Sequence, residues 1–185
     1  MERILYRSLR PVSLLALALI AGVFPISGSD EKTAALGPGP LPEPPRSGGA
    51  SLVETLWKRR SVRSFADRPI GREQLGFILW AAAGVNRPAE NHRTTPAAWG
   101  AYAVSVYVTS RDGTCRYDPP THSLVAVEAV REKDLRREIP SAEFTKAAPV
   151  VLILVADFSR YGGMAPKEFL RDMAHADSGV IAPVK

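Results

Sequence analysis

Arg59, Arg60 and Arg63 fall within five consecutive residues, with Ser61 between them and Ser64 beside them. A guanidinium fork donates two parallel charge-assisted hydrogen bonds to a phosphate, and a serine hydroxyl adds a further donor. The run Arg59-Arg60-Ser61-Val62-Arg63-Ser64-Phe65 therefore reads as a grip for a phosphate-bearing ligand. It reads equally as a solvated basic helix end that complements the helix macrodipole, and composition alone leaves both readings open. Other reactive residue types are scattered. His92, His122 and His175 read as ordinary loop or helix-surface residues. Glu168 and Asp177 do not form a persuasive acid–base pair, and no spacing of His, Cys, Asp and Glu suits a metal. Cys115 is the sole cysteine, which excludes an intrachain disulfide or a paired-thiol motif, and it reads as a small packed hydrophobe. Trp99 and Tyr102 suit a ring stack, a core position or an interface alike.

The elements that must carry these residues are signalled by caps and periodicity. Ser51 at an N-cap, with Glu54 three residues on, starts a helix whose apolar stripe is Leu52, Leu56 and Trp57. Lys58-Arg59-Arg60 then stands at its C-terminal end. A second helix is predicted from Arg72, after Pro69-Ile70-Gly71, through Leu75, Ile78, Leu79 and Ala82 to a stop at Gly84 and Asn86. Residues 86–100 are polar and broken by Pro88 and Pro96, so they read as a loop. Residues 101–109 have the β-branched and aromatic content of a strand, and the turn chemistry of 116–122 predicts a hairpin reaching Val127. Residues 132–138 read as a short charged helix. Residues 150–157 form an apolar run after Pro149, the pattern of a central strand buried on both faces. Residues 167–181 fit a helix with Phe169, Leu170, Met173 and Val180 available for packing. The order helix, helix, strand, hairpin, strand, helix gives an α+β fold.

A chain of 185 residues with 45% hydrophobic content can bury one core. Its formal charge of +5 includes Arg3, Arg7 and Arg10, which precede the apolar stretch 12–26. That pattern predicts a signal peptide or N-terminal anchor over 1–29, so that the domain works in the periplasm or at a membrane facing outside the cytoplasm. Elsewhere Lys and Arg alternate with Glu and Asp instead of lining one face, which argues against a nucleic-acid partner. Residues 30–50 are rich in Gly and Pro and read as a semi-extended linker, leaving 51–185 as the folded domain.

Several of these runs together resemble the nitroreductase family, and within it the azoline-oxidase-like dehydrogenases. The segment Arg59-Arg60-Ser61-Val62-Arg63 is similar to the family's phosphate-binding segment after the first helix. Residues 79–87 are similar to its second helix, and Arg93-Thr94-Thr95-Pro96-Ala97-Ala98 to its Arg-x-x-Pro-Ser-Ala loop. The resemblance covers about 51–182. It implies a mixed, mainly antiparallel sheet flanked by helices, a homodimer, and FMN as cofactor. It also implies that Arg59, Arg60, Ser61 and Arg63 hold the phosphate and ribityl chain while Pro96, Ala97 and Ala98 lie along the flavin ring. Ala97 departs from the serine usual there, a hydrogen bond worth on the order of 1 kcal/mol.

The activity so implied is transfer of hydride or electrons through flavin to a small acceptor such as a nitroaromatic or quinone. NAD(P)H is the donor for many relatives, and no catalytic acid or base is called for because the cofactor performs the hard step. Residues 175–182 resemble the start of the family's central helix, which in relatives continues well beyond it, so the chain is expected to be C-terminally truncated and the fold incomplete there. The alternatives are a non-catalytic fragment of such an enzyme, and a basic surface module in which Arg59, Arg60 and Arg63 meet an anionic polymer or a membrane.

Overall fold

The computed structural model describes residues 36–66, 68–138 and 143–182, together with the backbone of Val12–Ala16. The expected leader at 1–29 otherwise lies outside the described residues, as do the start of the linker and the chain end at 183–185. No helix among the described residues is long and apolar enough to cross a membrane.

The architecture is α+β, as expected. Its main sheet contains β1 (Val12–Ala16), β2 (Gly39–Pro40), β5 (Val104–Ser110), β6 (Gly113–Asp118), β7 (Ser123–Ala126) and β8 (Val151–Asp157). The spatial order is β1-β8-β5-β6-β7-β2, and every pairing is antiparallel. A small second sheet pairs β3 (Val85–Arg87) with β4 (His92–Arg93). Among the described residues four α-helices accompany the sheets: α1 (Leu52–Lys58), α2 (Arg72–Ala83), α3 (Phe144–Ala147) and α4 (Lys167–Ile181).

β8 is central, between β1 and β5, and its alternation explains why it reads as continuously apolar. Leu152, Leu154 and Ala156 enter a large core with Leu75 and Leu79 of α2 and with Leu170, Ala174 and Ile181 of α4. Val151, Ile153 and Val155 enter a smaller one with Val130, Leu135 and Ala148. Removing each such side chain from water stabilises the fold by roughly 1.5–3 kcal/mol.

Both cap signals of α1 and α2 operate as read. Ser51 Oγ accepts the Glu54 N–H at 3.2 Å, and the Gly84 N–H closes α2 on the Trp80 carbonyl at 2.7 Å. The α1 stripe behaves differently. Leu52, Leu56 and Trp57 are exposed, Trp57 at 87%, so this stripe finds no cover within the chain among the described residues.

Four further expectations are corrected. Residues 86–100 are not one loop: they hold the β3–β4 hairpin and short 3-10 turns at Pro88–Glu90 and Ala98–Gly100. The strand expected from Ala101 starts at Val104, because Tyr102 takes a φ of 45° that no strand tolerates. The charged helix at 132–138 is a single 3-10 turn, Leu135–Arg137, with Leu135 and Arg136 buried. On α4 the packed stripe is Leu170, Ala174, Asp177, Ser178 and Ile181, whereas Phe169 and Val180 are exposed.

The described part of the Gly/Pro-rich stretch is strapped to the sheet. Leu36 and Leu41 are buried, and Arg72 donates to the carbonyls of Gly37, Gly39 and Pro40. His122 bridges the Tyr117 hydroxyl at 2.8 Å and the Pro42 carbonyl at 2.9 Å. These contacts replace the ladder bonds that proline cannot supply.

Candidate functional site

The basic segment begins where α1 stops. Arg59 leaves the helix with φ −60° and ψ 121°, and residues 59–66 run on without regular structure. Phe65 anchors them by packing against the smaller core. Arg59, Arg60, Ser61 and Arg63 are all exposed. The Arg63 guanidinium sits 5.7 Å from the Phe144 ring centroid on α3. Among the described residues, none of the three guanidiniums is in an ion pair. Within the described residues no Asp or Glu neutralises this charge, and three guanidiniums with a serine hydroxyl are a donor set that suits a phosphate.

The second group of expected site residues lies on the loop that follows β4. Thr94 and Thr95 sew this loop to the C-terminal end of α2. The Thr94 N–H donates to the Gly84 carbonyl at 2.8 Å, and the Thr94 and Thr95 hydroxyls donate to Trp80 and Ala82 carbonyls at 3.0 Å each. The Ala82 and Gly84 carbonyls are ones a helix end otherwise leaves unpaired, and the Trp80 carbonyl takes the Thr94 hydroxyl in addition to the Gly84 N–H. Pro96 is thereby presented at the surface, with Ala97 and Ala98 half-buried behind it. Beyond them the backbone turns left-handed at Trp99 (φ 51°), Gly100 (φ 66°) and Tyr102 (φ 45°). Such conformations in non-glycine residues persist only where the surroundings enforce them.

The surroundings are specific. Asp177 of α4, buried, accepts the Ala98 N–H on Oδ1 at 2.9 Å and the Tyr161 hydroxyl on Oδ2 at 3.2 Å. Trp99 packs edge-on against Tyr161 and tilted against Phe169, with centroids near 6 Å. Arg160 donates to the Tyr102 carbonyl at 3.2 Å. Arg93 lies over the Tyr102 ring, 4.3 Å from its centroid, and its own N–H donates to the Tyr102 hydroxyl at 3.2 Å. Burial, and then the neighbouring Arg160 charge, pull the Arg93 guanidinium below its usual pKa. Its Nε is buried with no partner among the described residues. Arg93, Pro96, Ala97, Tyr102 and Asp177 line one shallow cleft.

The structure thus brings Pro96, Ala97 and Ala98 together as one turn, and Arg59, Arg60, Ser61 and Arg63 as one segment. No hydrogen bond or ring contact among the described residues joins turn to segment within the chain. The histidines stay outside both groups. His92 pairs with the exposed Glu90, His122 holds the linker, and His175 is exposed on α4. Cys115 is buried, and burial raises its pKa, away from a reactive thiolate. Among the described residues no group of three or more His, Cys, Asp or Glu could hold a metal.

Asp177 is the site residue that sequence reasoning passed over. Its signal was positional: residues 170, 174, 177, 178 and 181 share one helix stripe, and a carboxylate on a buried stripe requires dedicated donors.

Comparison with known proteins identifies the family and the fold. The model of the family described as "Nitroreductase family" matches residues 56–182. A curated protein of Methanocaldococcus jannaschii that carries a provisional nitroreductase name is 34% identical over 119 residues, 59% of this chain and 58% of the relative. The chain therefore spans little more than half the length of that relative. A crystal structure from Ralstonia eutropha, also provisionally titled a nitroreductase, aligns with TM-score 0.72 and 35% identity over 93% of this chain and 74% of the other. From the basic segment after α1 to the end of α4, this chain belongs to the nitroreductase family.

Proposed function

We propose that the chain is the FMN-holding part of an oxidoreductase that passes hydride or electrons to a small acceptor such as a nitroaromatic or quinone. The observation that carries this reading is the donor set at 59–63: three guanidiniums with no carboxylate partner among the described residues and a serine hydroxyl, exposed on a segment anchored by Phe65. Those groups suit a phosphate monoester, and family membership points to FMN as its bearer. FMN, when bound, supplies the hydride and electron chemistry. This chain's residues bind and orient it: Arg59, Arg60, Ser61 and Arg63 take the phosphate and ribityl end, and Pro96, Ala97 and Ala98 face the ring.

The same reading makes the working unit a homodimer, in which the segment of one copy and the turn of another complete a site that the single chain leaves in two parts. Supporting this is the exposed stripe of α1, directly before the segment. We also read 1–29 as an export leader or anchor, on the strength of Arg3, Arg7 and Arg10 ahead of the apolar 12–26. Because Val12–Ala16 pairs with β8, cleavage of the leader would take β1 from the sheet, whereas an anchor would keep it. Fractionation of expressing cells and the mass of the mature chain test that part.

The functional test is titration of the full chain with FMN, followed by flavin fluorescence. Saturable uptake of one FMN per chain is expected, weakened about 10-fold or more in Arg59→Ala and in Arg63→Ala, as loss of a charge-assisted bond requires. No uptake, or affinity unchanged in both variants, overturns the reading. Salt-sensitive binding to anionic vesicles without flavin uptake reassigns the segment to a surface-binding role.

A further inference from the structure

We infer that Asp177 is a positioning residue that sets the turn formed by Pro96, Ala97 and Ala98, and so governs how that turn meets the flavin ring, an inference that rests on the FMN reading above. Its two oxygens are used by two different parts of the chain. Oδ1 receives the Ala98 N–H at 2.9 Å, and Oδ2 receives the Tyr161 hydroxyl at 3.2 Å. The Ala98 N–H opens a 3-10 turn whose first donors have no partner inside the turn itself. Asp177 supplies that partner from α4, a 15-residue helix packed into the large core, so the turn is referred to a rigid support.

The need for such a hold is visible in the backbone. Ala97 is extended at φ −140°, and three of the next five residues are left-handed. Ala98 is the hinge point between these conformations and the residue at which the external bond is made. Tyr161 secures the other oxygen. Its phenol is pushed up to about 12, by burial first and then by the Asp177 charge, so it stays a donor at neutral pH. Trp99 leaning on Tyr161 closes the unit: carboxylate, phenol, indole and turn are mutually fixed.

A residue that only stabilised the fold would lower melting temperature and leave a bound ring undisturbed. A positioning residue changes the ring's environment with the fold intact. Amide exchange and flavin spectroscopy on the full chain separate the two. In cofactor-free Asp177→Ala, exchange at the Ala98 amide accelerates about 10-fold or more, while Leu152 and Leu154 amides in β8 keep their protection. With FMN, the same variant shows an altered visible circular dichroism band and about 10-fold weaker affinity. Asp177→Asn restores most of both, because its carbonyl oxygen still accepts from Ala98. Tyr161→Phe, which leaves the Ala98 bond in place, guards against misfolding of the alanine variant and shifts the flavin band in the same direction by less. Unchanged Ala98 exchange in Asp177→Ala, or an unchanged flavin band and affinity, overturns the assignment. Should wild-type chain take up no FMN, the functional reading falls separately, and the exchange rate at Ala98 still decides whether Asp177 sets the turn.

Discussion

Arg136 is a buried guanidinium, 4% exposed, whose charge is met on all sides by placed acceptors. Asp134 receives its Nε at 2.8 Å and its Nη2 at 2.6 Å, and the Ala148 carbonyl receives Nη1 at 2.6 Å. Foremost among the causes that hold the Asp134 carboxyl below its usual pKa is the Arg136 hydrogen bond. A carboxyl lowered in the native state binds fewer protons there than in the unfolded chain, so its stabilisation is present above roughly pH 4 and is lost as pH falls through the lower native value. Asp134→Asn should therefore destabilise the chain by about 1–3 kcal/mol at pH 7. In denaturant melts from pH 7 to pH 2, the gap to wild type should close on acidification; a gap constant with pH would exclude this pairing as its source. The pair was not legible in the sequence, because Arg136 stands in a run of charges at 132–138 that reads as a solvated helix. Charge type announces a partner only when burial is known. Arg59, Arg60 and Arg63 stand out in the sequence for the opposite reason, clustered and set among hydroxyls, and the structure leaves them exposed and unpaired among the described residues. Ala97→Ser tests the same site in the direction of gain. Restoring the hydroxyl should tighten FMN binding by about 5-fold, the equivalent of one hydrogen bond near 1 kcal/mol, with melting temperature of the cofactor-free chain unchanged. Affinity that stays the same would remove position 97 from the ring contact.

At the scale of elements, the β5–β6 hairpin turns on one glycine. Gly113 has φ 121°, and a Cβ there would meet the Arg131 carbonyl oxygen at 1.8 Å. That carbonyl accepts the Thr114 N–H at 3.1 Å, so the connection after β7 is docked onto the turn and cannot retreat without losing a bond. The Thr114 hydroxyl adds bonds to Thr109 and to the Lys133 carbonyl, and Thr109 in turn accepts the Leu135 N–H. Gly113→Ala combines a forbidden φ with backbone overlap, and should cost at least about 2 kcal/mol in chemical denaturation. A cost under about 0.5 kcal/mol, typical of an exposed site, would show that the docking is not needed. Elements with strong internal period were readable in advance. β8 carries its own burial pattern and α2 its own stop, whereas α4 was readable as a helix but not in the stripe it packs. The stretch around 86–103 was not readable, because what shapes it lies elsewhere in the chain: carbonyls at the end of α2, a carboxylate on α4 and Arg160. Nor was the docking of the Gly/Pro-rich stretch, where Leu36 and Leu41 are isolated apolar residues with no period to betray their burial.

For the whole molecule, the decisive asymmetry is between β8, wrapped on both faces, and α1, whose apolar stripe faces outward. Leu52, Val53, Leu56 and Trp57 are 62–87% exposed on a helix of seven residues. So short a helix is marginal alone, and its stability normally comes from packing its apolar face. A cluster of large exposed apolar residues on a folded chain marks an association surface. The sequence showed this stripe as clearly as the buried stripe of α2, since periodicity reports that a face is covered and not by what. In the homodimer proposed above, a second copy seated on α1 would bury the stripe and bring another turn towards Arg59 and Arg63. Leu56→Asp combined with Trp57→Asp should then turn a dimer into a monomer in sedimentation at micromolar concentration, and should weaken FMN binding about 10-fold or more although neither residue is placed on the cofactor. A wild-type chain that sediments as a monomer and binds FMN as tightly as the double variant would place the whole site within one copy, and α1 would need a different partner to explain its exposed face.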